Sequence, residues 1–284
     1  MATLVKTPLE TIEPSHTFYA AADVLSAEIE RPLHENIKPR VHVKLPEDGH
    51  YQFKQADPFR LDGVISYRSG YTQVAGHPSL QPDRGFTTLA TSVVEDLNIL
   101  DVVTADRVVG QIATNHPFYG EGQVPSVTFL GTRFDNLRIG GHKVEVDQNV
   151  DILGPKPAGD KSYLEDPGVL SRVSQQHANL PQWAKDQYRW DPAAVQQQGK
   201  VVCSLVNRVA GGPGTSLGHV IDVPHFGKIF LAELTVKREK ARSGPPKPDT
   251  YRFYLTMIRL ELGCHAHGRA KIVNFDTNGS GGHH

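Results

Sequence analysis

Two histidines two residues apart, His265-Ala-His267, are the clearest chemical signal in this sequence. In a strand such residues share a face, so both imidazoles can reach one divalent metal ion. A third ligand is required, and His225 is the candidate, with His219 and Glu233 as further donors on neighbouring segments. The same pair equally suits the solvated face of a strand entering a turn at Gly268. His219, Asp222 and His225 form a second compact group that suits a metal, or a base oriented by a carboxylate.

A loop at Asn115-His-Pro-Phe-Tyr-Gly-Glu-Gly122 joins aromatic and polar side chains, and Tyr67 to Tyr71 is similar. Stacking rings beside amides and acids are how β-rich proteins hold sugars and other small polar molecules. His116, Tyr119 and Glu121 are the ligand-binding candidates there. Gly214-Thr-Ser-Leu-Gly218 matches the nucleophile elbow of serine hydrolases, which needs a strand before the serine and a helix after it. Here a β-branched stretch ending at Pro224 follows, so a loop of small residues is the better reading. Ser216, Asp249 and His265 can be written in triad order, but many histidines make such sets by chance. No phosphate-binding loop, dinucleotide fingerprint, Cys-x-x-Cys or His-Glu-x-x-His occurs.

The elements that must position these residues are strands. Gly227 to Lys237 alternates Ile229, Leu231, Glu233 and Thr235 against Phe230, Ala232, Leu234 and Val236. Thr250 to Leu262 is apolar on both faces, the mark of a strand inside a covered sheet. Further strands are expected at Gly63 to Val74, Phe86 to Val94, Val102 to Ala113, Val124 to Ile139, Lys143 to Val150, Val201 to Val209 and Leu217 to Val223. Phe18 to Ile29 permits either helix or strand, and its surroundings favour a strand. Val41 to Leu45 and His50 to Phe53 flank Pro46-Glu-Asp-Gly49 and predict a hairpin. Gly140-Gly141 predicts another tight turn. Residues 160–198 differ: Asp166-Pro167, Leu180-Pro181 and Asp191-Pro192 each read as a helix start. This helical insertion carries both tryptophans and is expected to cover a sheet edge or end.

The fold class is therefore all-β, a two-sheet sandwich or flattened barrel of about a dozen mostly antiparallel strands. Residues 16–278 are expected to form one domain, after an extended arm at 1–15 and before a linker and tag-like tail at 279–284. Thirty basic against thirty-one acidic residues leave nothing to attract nucleic acid or an anionic membrane, and near-zero charge favours self-association. No apolar run is long enough for a membrane helix, and no secretory leader is recognisable, which makes a cytoplasmic protein the default and a secreted one, its leader removed, the alternative. If Cys203 and Cys264 pair, the loop of about sixty residues contributes roughly 4 kcal/mol; the alternative is two buried thiols. The functional expectation is a non-catalytic protein without a cofactor, either binding a small molecule such as a carbohydrate or serving a structural, self-associating role. The alternative is a metal-dependent enzyme using the His-x-His pair.

Overall fold

A computed structural model describes residues 16–79, 85–117, 124–159, 161–239, 250–263 and 266–278. Among them the chain begins with β1 (Ala20–Arg31), β2 (Glu35–Arg40), β3 (Val43–Lys44), β4 (His50–Ala56), β5 (Phe59–Leu61), β6 (Ile65–Tyr67) and β7 (Ser69–Pro78). Two long strands follow, β8 (Phe86–Ile99) and β9 (Val103–His116), then five short ones: β10 (Ser126–Thr128), β11 (Arg133–Asp135), β12 (Arg138–Ile139), β13 (His142–Lys143) and β14 (Glu145–Gln148). Helices α1 (Pro167–Ala178), α2 (Gln182–Tyr188) and α3 (Val195–Gln198) come next. The chain closes with β15 (Lys200–Ser204), β16 (Val206–Ala210), β17 (Thr215–Leu217), β18 (Val220–Val223), β19 (Gly227–Glu239), β20 (Thr250–Gly263) and β21 (His267–Asn278).

Most of these strands make a sandwich of two antiparallel sheets, and β14 pairs with β16 in a separate two-stranded ribbon. The first runs β17-β18-β19-β20-β21-β1-β2, with β15 beside β19 and β3 beside β1. The second is built on β12-β9-β8 with β7 and β4 beside it. Both paths end in open edges, so the sandwich alternative holds and the closed barrel does not. The strand number exceeds the expected dozen because many elements are two or three residues long, too short to show a period. The sheets meet closely at Gly110, where a Cβ would lie 2.4 Å from Phe275 Cε2.

Several expected elements form for the reasons given. Asp166 caps α1 by accepting from the Val169 amide at 2.9 Å, with Pro167 in the first turn. Gly140 and Gly141, both at positive φ, turn β12 into β13. β20 lies between β19 and β21, but its apolar residues share one face rather than two: Leu255 and Ile258 stand opposite the inward Leu234 and Leu231 of β19, and the outer face carries Tyr254, Arg259 and Glu261. The turn at Pro46–Gly49 forms, but it joins strands of different sheets: β3 pairs with β1 and β4 with β7. The predicted hairpin is thus a crossing between layers. Gly268 does not start a turn; it sits within β21, opposite Leu262 and Ile29. Cys203 is a free, buried thiol on β15 whose burial pushes its pKa up to about 12, and Cys264 lies outside the described residues.

One feature of the first sheet breaks the period-two reading. Val24, Val273, Met257 and Ala232 form a row across β1, β21, β20 and β19, and Ala232 and Val273 have φ of 45° and 54°. Left-handed residues in a strand rotate the chain by half a period. Inward residues are Ile229 and Leu231 before the row on β19, and Leu234 and Val236 after it. On β21 they change from Ala270 and Ile272 to Val273, Phe275 and Thr277. Glu233 and Thr235 therefore face away from Ile229 and Leu231, contrary to simple alternation. That outer face, under the helices, carries the polar chemistry.

Candidate functional site

Two groups of polar side chains lie on or beside this outer face, one buried and one open. The buried group centres on Glu233, 8% exposed. Arg259 on β20 grips it through Nε to Oε2 and through Nη2 to Oε1 at 2.9 Å. Tyr188, the last residue of α2, donates its hydroxyl to Oε1 at 2.5 Å. The tyrosine oxygen lies 3.0 Å from His219 Nε2. A carboxylate only accepts, so the tyrosine proton points to Glu233 and His219 Nε2 must carry the proton given to Tyr188. His219 Nδ1 is then bare, and it has no hydrogen-bond partner. The imidazole is neutral.

Ionisation follows from the same geometry. Burial lowers His219 to about 4, against the opposing pull of Glu233. Burial raises the Glu233 carboxyl, and the hydrogen bonds and charge of Arg259, aided by Tyr188, more than reverse this and leave it below its ordinary value. Burial and the Glu233 charge hold the Tyr188 phenol well above its ordinary value. Phe230 lies under the Arg259 guanidinium at 3.5 Å, and Trp183 of α2 packs edge-on against Phe230. His177 of α1 stacks on Trp190 and donates from Nε2 to the Val202 carbonyl oxygen at 2.9 Å, since a carbonyl only accepts. Every oxygen of Glu233 is occupied, and α2 covers it. This group clamps the helical insertion onto the sheet.

The open group lines a cleft of about 720 Å³ beside it. Its wall is the turn Val223-Pro224-His225-Phe226, closed by the Phe226 amide donating to the Val223 carbonyl at 3.1 Å, together with the ends of β20 and β21. His225 has φ of 63°, the third position of a turn that normally takes Gly or Asn. Holding a histidine there costs about 1 kcal/mol, and such strain concentrates at functional positions. His267 lies on the same cleft and donates from Nδ1 to Glu30 Oε2 at 2.6 Å. Charges on the floor alternate in register: Asp222 opposite Lys228, Lys228 opposite Glu261, Glu261 opposite Arg269. Glu261 also accepts from Arg259 and from Gln187 of α2, tying the cleft to the buried clamp.

The chain matches the family described as a domain of unknown function, DUF8256, over residues 16–237. It belongs to that family. No curated protein and no solved structure matches. The DUF8256 match spans the second sheet, the helices, His219, His225 and Glu233. It stops within β19, so Arg259, Glu261 and His267, which complete both groups, come from strands beyond it.

Of the metal candidates, His225 and His267 share the cleft, and His265 lies outside the described residues. Among the described residues no three His, Cys, Asp or Glu side chains are grouped to hold a metal ion. His219 belongs to the buried clamp, apart from Asp222 on the cleft wall. His116 ends β9 with its ring buried, 4.6 Å from that of His16, while Tyr119 and Glu121 lie outside the described residues. Ser216 lies on β17, in a hairpin with β18, rather than in a loop or at a strand-to-helix elbow. No helix among the described residues is long and apolar enough to cross a membrane.

Proposed function

We propose that this protein is a non-catalytic β-sandwich that binds a small, uncharged, hydroxyl-bearing molecule, such as a carbohydrate, in the cleft beside His225. The observation that carries this is the lining itself. Its acids and bases stand opposite one another along the register, Asp222 by Lys228 and Glu261 between Lys228 and Arg269, so neither sign of ion is strongly favoured, while imidazoles at His225 and His267 are there to exchange hydrogen bonds with hydroxyls. The buried clamp supports the absence of catalysis, since Glu233 has no open position for a reactant.

Titration calorimetry with methyl glycosides of neutral monosaccharides tests this. Binding is expected, weakened about fivefold in His225→Gly, the worth of one hydrogen bond. Glycine suits φ of 63°, so the variant should stay within about 1 kcal/mol of the parent in stability. Absence of binding to every member of the panel, or full affinity in His225→Gly, would overturn the proposal.

One observation favours a metal instead. A carboxylate that receives the Nδ1 proton of a histidine leaves Nε2 ready for a metal, and Glu30 does this for His267 on the cleft that holds His225. Elemental analysis of protein lacking residues 279–284 separates the readings. Sub-stoichiometric metal is expected; one equivalent per chain, lost in His225→Gly, would replace the carbohydrate reading with the metal one.

A further inference from the structure

The turn that presents His225 has a second side. A cleft of about 550 Å³ lies there, lined by Leu100, Val102, Pro213, Val223, Phe226 and Ala266 among others. Four residues, Val223, Pro224, His225 and Phe226, line both clefts, so the two adjoin across one ridge. Their chemistry is opposite. The first is floored by Lys228, Glu261 and Arg269, whereas His225 is the only titratable side chain on the described lining of the second. A contiguous apolar hollow left to water is unfavourable, and where one adjoins a polar site it commonly belongs to the ligand.

We infer that the ligand is an uncharged amphiphile, with its hydroxylated head in the polar cleft and an alkyl or acyl chain crossing the His225 ridge into the apolar one. This inference rests on the carbohydrate reading of the polar cleft. Charge complementarity selects the occupant: the head meets acids and bases set opposite one another in register, and the tail meets no Asp, Glu, Lys or Arg on the described lining. An ionic lipid head would gain little from the first cleft. A free sugar would leave the second unused. The strained His225 backbone places a polar ring at the crest where head and tail join.

The test is affinity against chain length, using methyl, butyl and hexyl β-D-glucoside below their micellar concentrations. Each methylene buried in the apolar cleft should tighten binding about two- to fourfold, so hexyl should bind at least about thirtyfold more tightly than methyl. Leu100→Asn locates the chain: Leu100 has φ of 52°, which asparagine tolerates well, and the change removes apolar lining without touching the polar cleft. In this variant hexyl should fall back towards methyl, while methyl is unchanged. Equal affinity of all three glucosides would overturn the amphiphile inference and leave the carbohydrate reading standing. A chain-length gain that persists in Leu100→Asn would place the tail elsewhere and overturn it too. Failure of every glucoside to bind would remove both.

Discussion

Replacing Arg259 by methionine should lower the unfolding free energy by about 3–5 kcal/mol at pH 7, because it leaves the Glu233 carboxylate buried beneath α2 without its cation. The loss should be smaller at pH 5. Without Arg259, burial dominates and raises the Glu233 carboxyl, which then enters the folded state protonated. In the parent the sign is opposite: Glu233 lies below its ordinary value, so its contribution is present above about pH 4.5 and fades as pH falls through the folded value. The double variant Glu233→Leu, Arg259→Met should recover most of the loss, since replacing a whole buried pair by apolar side chains is often near neutral. Urea unfolding followed by tryptophan fluorescence measures all three, with Trp183 on α2 reporting whether the insertion stays docked. A single variant as stable as the parent would show that the pair does not hold the helix.

What the sequence revealed depended on how local its cause was. The Asp166-Pro167 cap and the Gly140-Gly141 turn are set by neighbouring residues, and both form as read. β20 is legible as a strand from its aromatic and branched residues, but its two apolar faces are one inward face that changes phase at Met257. β21 was missed, though it is the strand that joins β20 to β1. Its inward residues Ile272 and Val273 are consecutive, because the left-handed Val273 reverses the alternation, and a period-two reading fails at that point. The same reversal misassigned the face of Glu233. The clamp did leave a trace: Glu233 and Arg259 are opposite charges, each the one charged residue within the mostly apolar stretches 229–236 and 253–260. Tyr188 and Trp183 left none, since their partners lie tens of residues away and only the docking of α2 unites them. The sequence offers His225 and His267 as metal ligands; that they share a cleft with Glu30 is a property of sheet register, which spacing along the chain does not encode.

Two buried groups with displaced pKa values should give this protein an unusually flat stability between pH 4 and 6, and single substitutions should uncover the opposing slopes. Asp23 sits on the outer face of β1 with one carboxylate oxygen unpartnered; burial raises it to about 6, against the opposing hydrogen bond from Asn274 and the charges of His42 and Lys271. Its folded value exceeds the unfolded one, so the folded state binds the proton more tightly and Asp23 costs stability as pH rises from 4 through 6. His219 behaves in the reverse sense. It is depressed to about 4, so its neutral form supports folding above pH 6.5, and that support is lost as pH falls towards 4. Each shift corresponds to about 3 kcal/mol across its window. The titratable and charged groups facing His219 are Tyr188, His177, Glu233 and Arg259, and Glu233 withdraws its own contribution only at the acid end of this range. Asp276, also raised by burial, adds to the Asp23 slope. Asp23→Asn should therefore stabilise the protein by about 2 kcal/mol at pH 8, the full shift less the burial of one amide donor, and have little effect at pH 4. Its stability should then fall with acidification, exposing the His219 slope. His219→Phe should do the converse, with stability rising as pH drops from 6.5 towards 4. Urea denaturation from pH 4.5 to 8 measures these profiles, and three parallel curves would refute the assignment of either slope.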